Sequence, residues 1–145
     1  MTKPPKISFF VENLVLPLKQ RKKLKEFIGF VFSKEKKRVT SLNFIFCSDE
    51  FLLNINRQFL SHDFYTDIVT FDLSKEKDAI VAEAYISLDR VRENAKKENV
   101  LFLTELHRVV FHGVLHLCGY KDKRKIDIEQ MRKKENNLLG LYFKK

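Results

Sequence analysis

Cysteine, proline, glycine and tryptophan are scarce in this chain: two, three, four and none in 145 residues. Two cysteines, Cys47 and Cys118, exclude a disulfide scaffold and fit a reducing, cytoplasmic setting. With so few glycines and prolines, no Gly/Ser-rich run and no internal repeat, the chain has no stretch that reads as a linker, so one domain over residues 1–145 is expected. Long apolar runs are missing as well. The most apolar stretch, residues 100–117, is interrupted by Glu105, His107, Arg108, His112 and His116, and fails the requirement for ~20 nearly uncharged residues in a bilayer. Residues 1–10 put prolines and lysines ahead of any apolar run, which does not fit a secretory leader. No membrane association is expected.

What is present is apolar content for a core, 44%, and an excess of positive charge: 28 Lys and Arg against 19 Asp and Glu, a net +9. The first figure excludes disorder. The second makes polyanions, nucleic acid above all, the first partner to consider, although many basic domains are merely soluble.

The apolar spacing predicts a mixture of strands and helices. Residues 7–11 read as a short strand, and after Pro17 the positions Leu24, Phe27, Ile28 and Val31 mark an amphipathic helix. Val39, Leu42, Phe44 and Phe46 follow a strand period, and Ser48 with Asp49 and Glu50 opens a helix with Leu52, Ile55 and Phe59 on its apolar side. Residues 67–73 and 80–87 read as two more strands joined by a charged turn. Three helices follow: one from Ser87 carrying Val91 and Ala95, one over about 104–118 ended by Gly119, and one over 126–139 with Ile128, Met131, Glu135 and Leu138 in register. Without strict βαβ alternation, the expected class is α+β: a small mixed sheet of about four strands packed with about five helices, with a metal site on one helix.

That helix carries the chemistry. His112 and His116 are four residues apart, about one turn, so both imidazoles lie on one face and can reach one metal ion. Gly119 turns the chain and Asp122 can return a carboxylate, making H-x3-H-x5-D; three protein ligands with one open position is the pattern of a catalytic zinc. The competing reading is a pair of surface or core histidines. Cys118 and His107 fall off the stripe and read as packing or surface residues. Metalloproteases of the H-E-x-x-H type place a glutamate base directly after the first histidine; here Gly113 stands there, which ranks a peptidase last.

The run HGVLHLCGY, His112 to Tyr120, resembles the H-G-x-L-H-L-x-G-Y-D-H signature of the YbeY family of metal-dependent endoribonucleases and rRNA maturation factors. Asn56, Phe59 and Asp63, with Thr66 to Phe71, are similar to that family's N-x-x-Y-R-x-x-D-x-x-T-D-V-L-S-F run at the same spacing. Glu83 with Ile86 and Ser87, Val91 and Ala95, Glu105 and Leu106, and Met131 with Glu135 extend the resemblance over most of the chain after Asn43. It departs in three places. Lys121 and Asp122 stand where the family has Asp-His, so Asp122 replaces the third histidine ligand. Ala82-Glu83 replaces Gly-Asp and keeps a carboxylate. Leu60 replaces an arginine, for which Arg57, one helical turn earlier, is the nearest substitute, although a plain surface arginine on a helix is the stronger reading of Arg57.

The resemblance implies cleavage of single-stranded RNA, processing of the 16S rRNA 3′ end and ribosome quality control. On that reading one zinc ion is held by His112, His116 and Asp122, and Asp67 and Glu83 orient ligands through hydrogen bonds. Arg57 clamps phosphate, while Lys121, Lys123, Arg124 and Lys125 contact RNA, with Tyr120 stacking a base. The expected partners are rRNA and the small ribosomal subunit. A non-catalytic rRNA-binding maturation factor is the alternative, and a metal hydrolase acting on peptides a weaker one.

Overall fold

A computed structural model describes residues 4–12, 15, 16 and 18–144; residues 1–3 and Pro17, used above for the leader and helix readings, lie outside them. The elements run β1 (Lys6–Val11), α1 (Arg21–Lys34), β2 (Val39–Cys47), α2 (Asp49–Leu60), β3 (Ile68–Asp72), β4 (Ile80–Ser87), α3 (Leu88–Glu98), α4 (Phe102–Leu117) and α5 (Lys125–Tyr142). The four strands form one sheet in the order β1-β2-β4-β3, parallel except for the antiparallel edge strand β3. This is the mixed α+β domain that the spacing predicts. Among the described residues, no single helix is long and apolar enough to cross a membrane.

Strand alternation decides which helix meets which face. Leu42, Phe44 and Phe46 of β2 lie opposite Ala82, Ala84 and Ile86 of β4, and these residues join α1, α3, α4 and α5 in the main core. Phe9 of β1 stacks on Phe44 at 5.6 Å in the same layer. Phe32, Phe44, Phe46 and Phe111 are fully buried; burial of such a side chain stabilises by about 1.5–3 kcal/mol. The other face is a smaller cluster in which α2 supplies Leu52, Phe51 and Ile55 against Val69, Phe71 and Tyr85.

Local chemistry places the helix ends. The Ser48 hydroxyl accepts from the Phe51 amide at 3.1 Å, the expected N-cap of α2. Ser87 caps α3 through the Arg90 amide and also donates to Asp49 at 2.6 Å, tying the two helix starts together. Helix α4 ends at Leu117, and Gly119 at φ +106° makes the reversal, a conformation in which a Cβ would be strained. Two apolar expectations fail: Phe59 is 65% exposed and Ile128 51%, because the last turn of α2 and the first turn of α5 run past the edge of the core.

Candidate active site

Apart from Thr104 and His107, the polar residues of helix α4 form one stripe, Glu105, Arg108, His112 and His116, spaced three, four and four residues apart. The stripe faces β3, the turn after α4, and α5. Gly113 lets the helix approach β3 closely: a Cβ there would meet Ile68 Cδ1 at 2.8 Å. The position that holds the glutamate base in H-E-x-x-H proteases is here pressed against the sheet and has no room for a carboxylate.

Both histidines are oriented through Nδ1. His116 Nδ1 lies 2.9 Å from the Tyr120 carbonyl, which the Gly119 turn brings back over the helix end. His112 Nδ1 lies 2.7 Å from Glu135 Oε2, on α5. A carbonyl only accepts and an ionised carboxylate does too, so Nδ1 is the donor in each ring; in the neutral imidazole this leaves Nε2 with the lone pair that a metal takes. The rings are near parallel, 28° between planes, with centroids 6.1 Å apart. Asp122 Oδ2 stands 3.2 Å from His112 Nε2.

A third layer holds the carboxylate that holds His112. Glu135 is 5% exposed and also accepts from Arg108 Nη1 at 3.2 Å, with Arg132 Nη1 at 3.9 Å. Arg108 also lies 3.6 Å from Glu105, whose buried Oε1 has no hydrogen-bond partner. Burial raises the Glu105 carboxyl above its usual range against the pull of Arg108, and raises Asp67 against the pull of His112. Burial by itself would lower His112, but the hydrogen bond and charge of Glu135, with Asp67 and Asp122 behind them, outweigh it and raise the imidazole pKa. The two cysteines are buried, and burial pushes both thiols up to about 12. That makes them unreactive packing groups rather than ligands.

His112, Asp122 and Asp67 stand between two cavities. One, of about 200 Å³, is also lined by Glu105, Arg108, Arg132 and Glu135. The other, of about 400 Å³, is lined by His116, Asn56, Leu60, His62 and Phe64 among others.

The donor set suits a divalent metal: two imidazole nitrogens and a carboxylate. The 3.2 Å between His112 Nε2 and Asp122 Oδ2 also matches the edge of a tetrahedron with zinc–ligand bonds near 2.05 Å, roughly 3.3 Å. Convergence is nonetheless partial. Among the described residues no three His, Cys, Asp or Glu side chains are gathered closely enough to hold a metal ion, and the His112 and His116 ring centroids stand 6.1 Å apart.

The remaining expected site residues divide. Asp67 lines both cavities, and its carboxylate accepts from Asn94 at 3.4 Å. Glu83 does not join it: paired with Phe71 in the sheet and accepting from Tyr85 Oη at 3.2 Å, it sits on the α2 face, across the sheet from α4. Arg57 does not line the cavities around His112; it is exposed and paired with Asp63 at 2.5 Å. Leu60, at the family's arginine position, does line the larger cavity, so the guanidinium groups near His112 come from Arg108 and Arg132. Lys121, Lys123 and Lys125 are exposed around Asp122, whereas Arg124 is engaged bidentately by Asp127. Tyr120 is not a free stacking surface: its hydroxyl donates to Glu35 at 2.9 Å and Lys134 covers its ring at 5.3 Å. Glu135, Arg108 and Arg132 were not foreseen as site residues. The polar stripe of a largely apolar α4 was the available signal for Arg108.

An α+β domain with two histidines on a core helix and a carboxylate behind its terminal turn is the design of a hydrolase. The comparisons make the class specific: the family model described as Endoribonuclease YbeY matches residues 11–142. The chain belongs to the YbeY endoribonuclease family. It is 48% identical over 135 residues to Endoribonuclease YbeY of Cytophaga hutchinsonii, covering 93% of this chain and 94% of that one. It is 46% identical over 134 residues to the Porphyromonas gingivalis protein of the same name, covering 92% and 88%. The solution structure of TM1509 from Thermotoga maritima superposes with a TM-score of 0.65 at 31% identity, covering 94% of this chain and 89% of that one.

Proposed function

We propose that this protein is a zinc-dependent endoribonuclease of the cytoplasm that cuts single-stranded RNA in 16S rRNA 3′-end maturation and ribosome quality control, with rRNA and the small ribosomal subunit as partners. One observation carries the reading: two imidazoles are oriented through Nδ1, and Nε2 of the first faces the Asp122 carboxylate at 3.2 Å beside an open cavity. His112, His116 and Asp122 would hold the ion. A bound zinc supplies Lewis acidity at a phosphoryl group.

The rest is the chain's own work. Glu135 keeps the proton on His112 Nδ1, and the Tyr120 carbonyl keeps it on His116 Nδ1, so neither ring can turn its donor face to the ligand side. Arg132, 47% exposed at its side chain and lining the smaller cavity, is the guanidinium best able to meet a phosphate. Lys121, Lys123 and Lys125 add positive charge along the approach.

The test is metal content and cleavage together. Purified protein is expected to carry about one zinc per chain and to cut an unstructured RNA, with His116→Ala losing both. Full cleavage by chelator-treated protein overturns the reading. The exposed lysines after Tyr120 suit a second reading as well, an rRNA-binding maturation factor without nuclease activity. Salt-sensitive rRNA binding with no fragments released at saturating zinc would establish that instead.

A further inference from the structure

We propose that His62 and Phe64 form a stacking platform for one unpaired nucleobase at the lip of the cavity that holds His112, His116 and Asp122. The proposal rests on the RNA-cleaving reading above and adds how the strand is held. The two rings already stack on each other, with centroids 5.0 Å apart and 23° between planes, and both line that cavity. His62 is exposed and Phe64 is 55% exposed, so the pair is not core packing.

A mobile loop would expose aromatic rings without purpose, but this one is tied down. Ser61 takes the left-handed conformation at φ 55° and ends α2, and the His62 amide donates to the Asn56 carbonyl at 3.1 Å. The buried Asn56 side chain donates to the Phe64 carbonyl at 3.0 Å. Arg57 grips Asp63, and Tyr65 Oη donates to Glu50 at 2.7 Å. The loop therefore presents a preorganised aromatic surface, anchored at the His62 amide and the Phe64 carbonyl.

Such a surface suits a base with a bare face. In a duplex both faces of each base are covered by neighbours, whereas an unpaired base can stack on a protein ring, largely irrespective of sequence. A base on this platform leaves its phosphate within the same cavity as the histidine pair, with the exposed lysines after Tyr120 flanking it.

The experiment measures binding of a non-cleavable 2′-O-methyl RNA single strand, intact and with abasic sites introduced one at a time. Phe64→Ala is expected to weaken binding of the intact strand roughly 5- to 150-fold, and Phe64→Trp to restore it. At one position the abasic strand should bind wild type as weakly as the intact strand binds Phe64→Ala, with no further loss when both changes are combined. Phe64 is exposed, so unchanged melting temperatures of the variants are expected. Equal loss for abasic and intact strands, equal loss for a blunt duplex, or no loss at all overturns the platform. So does a dimer, seen by sedimentation, that Phe64→Ala dissolves. Because binding is read without cleavage, a Phe64-dependent base contact in a protein that cuts no RNA would uphold the platform while the nuclease reading fails.

Discussion

Removing the Glu135 carboxylate is expected to unsettle the protein before any metal or RNA is involved. In Glu135→Ala, Arg108, with a side chain only 15% exposed, keeps Glu105 alone, at 3.6 Å, and His112 Nδ1 loses its 2.7 Å acceptor. Breaking a buried ion pair on one side costs about 3–5 kcal/mol, against the roughly 5–15 kcal/mol that holds an ordinary domain together. Glu135→Gln keeps the shape and, with its amide oxygen turned to His112, one acceptor, but it loses the charge and sets its NH2 against Arg108; a hydrogen bond to a charged group exceeds a neutral one by about 1–1.5 kcal/mol, so that variant should lose at least about 1–2 kcal/mol and less than Glu135→Ala. Urea unfolding in the presence of EDTA, read as the shift in midpoint at constant slope, measures both. The second readout is zinc affinity by chelator competition, where Glu135→Gln should bind about 10- to 100-fold more weakly, because the hydrogen bond that fixes the ring has lost its charge. If Glu135→Ala unfolds within 0.5 kcal/mol of wild type, the buried network carries no stability and the reasoning is wrong.

Two other perturbations test the packing around the same helix. Gly113→Ala should be nearly neutral by thermal melting, since the Ile68 terminal methyl can rotate away and the added helix propensity offsets about 1 kcal/mol. Gly113→Glu, which recreates the protease motif, should cost about 3 kcal/mol or more and yield no peptidase activity, because its carboxylate is forced unpaired against β3; a stable Gly113→Glu protein would contradict the close approach. Burial lowers the His107 imidazole pKa, where it stacks on Tyr142 at 5.1 Å. The native state then binds fewer protons than the unfolded chain, so this contribution is present above the ordinary value near 6.5 and is lost as pH falls through the lowered native value, by up to about 1.4 kcal/mol per unit. The stability difference between wild type and His107→Phe should change over that acid window and stay flat above it; a difference independent of pH would show that His107 titrates alike in the folded and unfolded chain and would refute the lowered value.

Local chemistry in the chain determined the order and kind of the elements: the strand period of β2, the Ser48 cap, the histidine spacing on α4 and the reversal at Gly119 each follow from a few neighbouring residues. These are short-range effects, and α4 carries its histidine pair on one face whatever surrounds it. The face that each residue ends on depended on partners far away in the chain. The alternation of β4 separates Ala82, Ala84 and Ile86 from Glu83 and Tyr85, but only the docking of α4 on one side and α2 on the other put Glu83 away from the site. Likewise Glu135, 23 residues beyond His112, becomes its anchor because α5 folds back along α4. A side chain's own neighbours specify its direction relative to its element; which charge it meets is settled by how the elements pack.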